Sequence, residues 1–149
     1  MRNRLAAIVL GLALAMSGCG VPTDGDPAVA AYRDLVGDTE QAASKAFGRL
    51  SWTGELHQGQ PLRIDGTCYT PVGERESSEV TFADDADDLL AEVNKVLARH
   101  GYSQAERYGT RNGYATITGI GAEGVTLRVR VKSTVRIDVL IPSSVETCS

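Results

Sequence analysis

Residues 125 to 132 read VTLRVRVK, and this alternation constrains the fold more tightly than any other stretch of the chain. Successive side chains of an extended strand point to opposite faces of its sheet. Val125, Leu127, Val129 and Val131 therefore share one side, and Arg128, Arg130 and Lys132 share the other. Such a strand suits a sheet with one dry and one wet face, an antiparallel arrangement. Tyr102 to Tyr108, Gly113 to Ile120 and Val135 to Ile141 read as companion strands, separated by GTRNG, GAEG and a tight Ser133-Thr134. Earlier in the chain, Ser51 to His57 and Leu62 to Cys68, divided by QGQP, predict a first hairpin.

The dry face of that sheet needs a cover, and two segments have helical spacing to supply it. Asp26-Pro27 is a helix start, a capping acceptor followed by a proline pre-set for the first turn. Val29, Tyr32, Val36, Ala43, Phe47 and Leu50 then form one apolar stripe, with a kink or break expected near Gly37. The second segment opens at Asp84 and buries Ala86, Leu89, Leu90, Val93, Val96 and Leu97. Asp84 and Asp87 suit the positive end of its dipole, Arg99 and His100 its last turn, and Gly101 its left-handed stop. The expected fold is α+β, a two-layer sandwich of order α-β-β-α-β-β-β-β with both helices on one face of an antiparallel sheet. The sequence leaves the strand order open.

The N-terminus specifies an address. Arg2 and Arg4 precede an apolar stretch from Leu5 to Met16, then the small residues Ser17 and Gly18, which is a secretory signal layout. A helix over Leu5 to Met16 reaches only ~18 Å, short of the ~30 Å hydrocarbon core of a bilayer. Met16-Ser17-Gly18-Cys19 resembles the lipobox of bacterial lipoproteins. That resemblance implies diacylglyceryl transfer to the Cys19 thiol, cleavage of residues 1–18, and attachment of the remaining chain to the membrane through lipid. Two or three acyl chains suffice for durable anchoring. Residues 20–26, GVPTDGD, form a tether spanning at most ~25 Å, so the domain, residues 27–149, is expected to ride close to the lipid surface.

Loss of residues 1–18 takes the 15 basic residues to 13, against 19 acidic ones, leaving net −6 on 131 residues. That length suits a single domain. The acidic excess argues against nucleic acid as a partner. With Cys19 lipidated, Cys68 and Cys148 remain, and outside the cytoplasm two thiols most simply form a disulfide. The competing roles, a reactive thiol or a metal site, lack ligand spacing such as C-x-x-C.

Gly119-Ile120-Gly121-Ala122-Glu123-Gly124 matches G-x-G-x-x-G, with Asp138 about 20 residues on, but dinucleotide binding needs a helix after this turn. VTLRVRVK follows instead, so a hairpin loop is expected, and no cofactor. Asp84, Asp85, Asp87 and Asp88 lack the alternation and distal Glu of a calcium loop and run into a helix; no metal is expected. Trp52 can stack on a sugar ring, but a core position fits it better. His57 and His100 are the only near-neutral bases, and neither lies in a nucleophile motif. Arg128, Arg130 and Lys132, with Arg136 across the turn, form a candidate anion-binding face for lipid headgroups or acidic envelope polymers. The alternative is a charged face that guards an exposed sheet against aggregation.

Lipobox, long first helix, early Trp, Cys68, a helix ending in His-Gly-Tyr, and strands closing on Cys148 together resemble the LppA-like lipoproteins of high-GC Gram-positive bacteria. The resemblance implies a cell-envelope domain and carries no catalytic residues. The expected function is a non-enzymatic binding or accessory domain on the extracytoplasmic face of the cell membrane, contacting an envelope component or a membrane protein. The alternatives are a small envelope hydrolase and a protective immunity or exclusion lipoprotein.

Overall fold

The computed structural model describes residues 27–80, 86–106 and 108–148. Cys19, the expected lipobox and tether, and the expected caps at Asp26 and Asp84 lie outside them. Helix α1, Pro27–Phe47, opens on its proline and buries Val29, Leu35, Val36, Thr39, Ala42 and Ala43. It runs unbroken through Gly37, where a kink was expected. The buried neighbours on either side of Gly37 hold the helix against a propensity penalty of only about 1 kcal/mol. Thr39, fully buried, donates its hydroxyl to the Leu35 carbonyl at 2.7 Å.

Helix α2, Ala86–Arg99, carries Asp87 and Asp88 in its first turn and Arg99 in its last. It stops as expected, with Gly101 at φ 74. The amide of Gly101 donates to the Ala98 carbonyl at 3.3 Å and that of Tyr102 to the Leu97 carbonyl at 2.8 Å. These two bonds are the Schellman pattern, which satisfies carbonyls the helix itself leaves open.

Among the described residues, seven strands form one antiparallel sheet: β1 (Trp52–Thr53), β2 (Leu62–Ile64), β3 (Thr67–Glu79), β4 (Gly109–Arg111), β5 (Tyr114–Ile120), β6 (Thr126–Val131) and β7 (Thr134–Pro142). Their order is β1-β3-β7-β6-β5-β4, with β2 also on β3. The α+β class and the helix layer on one face match the expectation.

Two strand assignments need correction. The segments around Trp52 and Leu62 do not pair with each other; both pair with β3, through Trp52 opposite Ser77 and Leu62 opposite Tyr69. The turn lies instead at Asp65-Gly66, with φ 48 and 85, the two positive values a type I′ hairpin requires. β3 continues to Glu79 through PVGERESSE, where apolar alternation is absent, and shifts register twice against β7. The described residues of the expected strand Tyr102 to Tyr108, 102–106 and 108, also form no strand. Their backbone is engaged elsewhere: Ala105 exchanges hydrogen bonds of 2.8 and 2.9 Å with the Asn94 side chain on α2, and Ser103 is tied to Ile120. The strand on the outer side of β5 is β4, inside the expected GTRNG loop, turning at Asn112-Gly113.

The core lies between helices and sheet. Val129, Val135, Ile137 and Val139 of the central strands meet Val29, Val36, Val93 and Leu97 of the helices. Trp52, expected in the core, is partly buried and packs against its margin. Cys68 and Cys148 stand in disulfide geometry with Cα atoms 5.8 Å apart, tying the final turn, Val145–Cys148, to β3. The glycines of the G-x-G-x-x-G match act in packing. A methyl on Gly119 would fall inside the Leu97 side chain, and one on Gly121 would sit 2.8 Å from the Tyr102 ring. β6 follows them.

Candidate binding groove

The face of the sheet away from the helices is open, and strand parity decides what it presents. Tyr114, Thr116, Thr118 and Ile120 of β5 alternate with Ala115, Ile117 and Gly119, which face the core. Arg128 and Arg130 of β6 and Arg136 and Asp138 of β7 share that open face, as do Glu74 and Glu76 of β3. Cross-strand register sets two rungs: Thr118, Arg128, Asp138 and Glu74 on one, Thr116, Arg130, Arg136 and Glu76 on the next.

A groove of ≈ 760 Å³ runs along this face. Both hairpin turns reach it, through Asp65 and Asn112. These turns stand at diagonally opposite corners of the sheet, since β3 begins beside the end of β7 while β5 begins beside the end of β6. A twisted sheet is saddle-shaped, so one diagonal pair of corners rises toward the same side. The bulges in β3 add to this bend. Tyr69, Tyr114, Thr116, Thr118, Arg128 and Arg130 line the trough, with Ile120, 54% exposed, at its side.

The floor is a charge network. Asp138, 5% exposed, accepts from Arg128 Nε at 2.9 Å and Nη2 at 2.6 Å, and from Arg130 Nη2 at 3.1 Å. Arg130 Nη2 also donates to Glu74. Arg136 Nη2 donates to Glu76 at 3.1 Å, and its Nη1 lies 3.7 Å from Glu74. Burial disfavours the Arg136 charge, yet Glu76 and Glu74 outweigh it and hold its pKa above the ordinary value. The Nε atoms of Arg130 and Arg136 are buried without a hydrogen-bond partner among the described residues.

The four residues expected as an anion-binding face are thus brought together, but three are paired. Arg128, Arg130 and Arg136 meet three carboxylates, and Lys132 lies 5.7 Å from the centre of the Tyr114 ring. Arg128 and Arg130 line the groove. Sequence reasoning missed Asp138, Glu74 and Glu76 as their partners, and Thr116 and Thr118 as their neighbours. The alternation in YATIT signals Tyr114, Thr116 and Thr118; the pairing of β3 with β7, which delivers the glutamates, has no local signal.

Neither histidine lines the groove. His57 is exposed, with Nδ1 3.1 Å from the Glu55 carbonyl. His100 joins the helices through Nε2 and Asp38 Oδ2 at 2.9 Å. Among the described residues no cluster of three or more His, Cys, Asp or Glu is placed to hold a metal, and no helix is long and apolar enough to cross a membrane.

No protein-family model matches the chain, and no curated protein or solved structure is significantly similar to it. The functional reading therefore stands on the chain's own residues.

Proposed function

We propose that this protein is a lipoprotein of the cell envelope, anchored through lipid on Cys19, that uses the open face of its sheet as a non-enzymatic binding surface. The groove carries this reading: it is concave, lies opposite the helix layer and is lined by hydroxyl, aromatic and guanidinium side chains. Its volume falls in the ~300–1,000 Å³ range of ligand sites. Met16-Ser17-Gly18-Cys19 and the short GVPTDGD tether support the address. The cysteine pair supports an oxidising compartment, where such bonds persist. Both histidines are engaged away from the groove, which favours binding over hydrolysis.

Two measurements test the proposal. Cys19→Ser should release the protein from the membrane fraction and change its gel mobility; unchanged fractionation and mobility would remove the anchor. The native lipoprotein, isolated from membranes after crosslinking, should carry an envelope component whose recovery falls with substitutions in the groove. Recovery unaffected by them would remove the groove as the binding surface.

A further inference from the structure

The groove reading above leaves open what is bound, and the present inference rests on that reading. We propose that the groove holds a neutral polyhydroxylated chain, a short run of linked sugar rings, in place of the anionic polymer suggested by a bare stripe of arginines.

Charge decides between the two. Arg128, Arg130 and Arg136 are matched by Asp138, Glu74 and Glu76, so the network is formally neutral. A polyanion laid in the groove would meet, in Arg128 and Arg130, guanidinium groups whose charge Asp138 and Glu74 already balance. The arginines nevertheless keep directional donors. Nη1 of Arg128 and Nη1 of Arg130 have no hydrogen-bond partner among the described residues: Asp138 takes the Nε and Nη2 edge of Arg128, while Asp138 and Glu74 both meet Nη2 of Arg130. Asp138 fixes both groups from beneath and is a positioning residue for them.

Hydroxyls stand beside these donors. Thr116 pairs in register with Arg130 and Thr118 with Arg128, and neither threonine hydroxyl has a partner among the described residues. Alternate residues on a strand lie ~7 Å apart, so the groove offers two successive donor-and-hydroxyl couples. Apolar surface flanks them, from Tyr69, Tyr114, Ile120 and Leu140. A sugar ring combines an apolar C–H face with a rim of hydroxyls that donate and accept, and aromatic side chains with a polar tip suit such mixed surfaces. A neutral chain also places no charge over Asp138, which holds the two lining arginines from beneath.

The test uses the full-length lipoprotein in micelles of a zwitterionic, sugar-free detergent, with threonine and isoleucine methyl groups labelled for NMR. The neutral probes are maltoheptaose, chitohexaose and mannopentaose; the anionic probe is poly(glycerol phosphate), and the peptide probe is an uncharged heptapeptide. At least one neutral oligosaccharide should shift the methyl resonances of Thr116, Thr118 and Ile120. Its Kd should change less than about twofold between about 0.05 and 0.5 M NaCl, since screening acts on charges. Thr116→Val with Thr118→Val, which keeps the branched shape, should weaken binding about tenfold through two lost hydrogen bonds. The remaining spectrum should be unchanged.

Shifts at the same methyls from poly(glycerol phosphate) with steep salt dependence, or from the peptide, and from no oligosaccharide, would overturn the sugar assignment while leaving the groove as the binding surface. Silence of these methyls toward every probe would also overturn the assignment. The groove itself would fall only if the double variant also left recovery of the native envelope component unaltered.

Discussion

Asp138 on β7 receives two hydrogen bonds from the guanidinium of Arg128 on β6, in the fork-to-fork geometry that carboxylate and guanidinium match best. Asp138 is buried, whereas the Arg128 and Arg130 side chains keep about a fifth of their surface in solvent. Removing the acid leaves two cations with partly buried heads and no shared counter-charge. Asp138→Ala should therefore destabilise the fold by about 2 to 3 kcal/mol, below the 3 to 5 typical of a fully buried broken pair. Glu76→Ala removes a more exposed carboxylate and should cost under about 1 kcal/mol. Urea midpoints at an unchanged m-value measure both, and equal effects would contradict a buried keystone at Asp138.

Gly119 and Leu97 meet where α2 crosses β5, close enough that a methyl on Gly119 has no room. Leu97 is fully buried and cannot swing into solvent. Gly119→Ala should cost about 1 to 3 kcal/mol by overpacking. Leu97→Ala alone should cost about 2 to 5 kcal/mol through its cavity. The double variant should be less destabilised than the sum, because the new methyl enters the space the leucine vacates. Additive costs in a double-mutant cycle would show that the two residues do not share that space.

These relationships mark where the sequence is legible and where it stops. The period-two runs in β5, β6 and β7 fix which side chains face the core, and the Gly101 stop fixes the end of α2. Both are local signals. β3 beyond Cys68 has no counterpart among the expected strands because GERESS has no apolar alternation, although the polar Glu74 and Glu76 are what the open face requires. Asp65-Gly66 and Asn112-Gly113 are turn dipeptides, yet alternation carries an expected strand, Leu62 to Cys68, straight across the first, and the second ends the longer expected loop GTRNG. The basic stripe was read from one strand and its neighbour. Its neutralisation depends on β7 lying between β6 and β3, a long-range choice that no single segment encodes. The groove is less legible still, since it arises from twist that lifts two distant corners.

The pairing of Asp38 with His100 gives the helix layer an acid-sensitive link. The hydrogen bond from His100, with the charges of Arg99, His100 and Lys45, outweighs desolvation and lowers the Asp38 pKa from its ordinary 3.8. A carboxylate with a depressed folded pKa contributes stability that is fully present above the unfolded value and lost as pH falls through the folded one. Asp38→Asn should thus be less stable than the native protein at pH 7, by under about 1 kcal/mol for so exposed a group. The gap should begin to close near about pH 4, where the unfolded carboxyl protonates, and vanish once the pH falls through the lower folded pKa. Paired thermal melts across this range measure it; a gap that persists unchanged at pH 2 would assign the effect to packing instead of charge.

Cys68 and Cys148 are separated by 80 positions. A bond between them constrains most of the unfolded domain, and the chain-entropy relation gives about 4.5 kcal/mol for a loop of that size as an upper bound. The native contacts around the bond survive its loss in part. Ser143 donates its amide to the Cys68 carbonyl at 2.9 Å, and its hydroxyl shares a 2.5 Å hydrogen bond with that of Thr70. The tail therefore remains docked when the sulfurs part, and the main change falls on the unfolded state. Cys148→Ser should lower stability by about 2 to 4 kcal/mol while leaving β3 and β7 paired. Reduction of the native protein should have the same effect. Denaturant unfolding with and without reductant measures it, together with amide exchange at Thr70 and Ile141. A reductant-insensitive midpoint would show that the thiols are not joined, and early loss of protection at Thr70 would show that the bond holds the tail in the folded state.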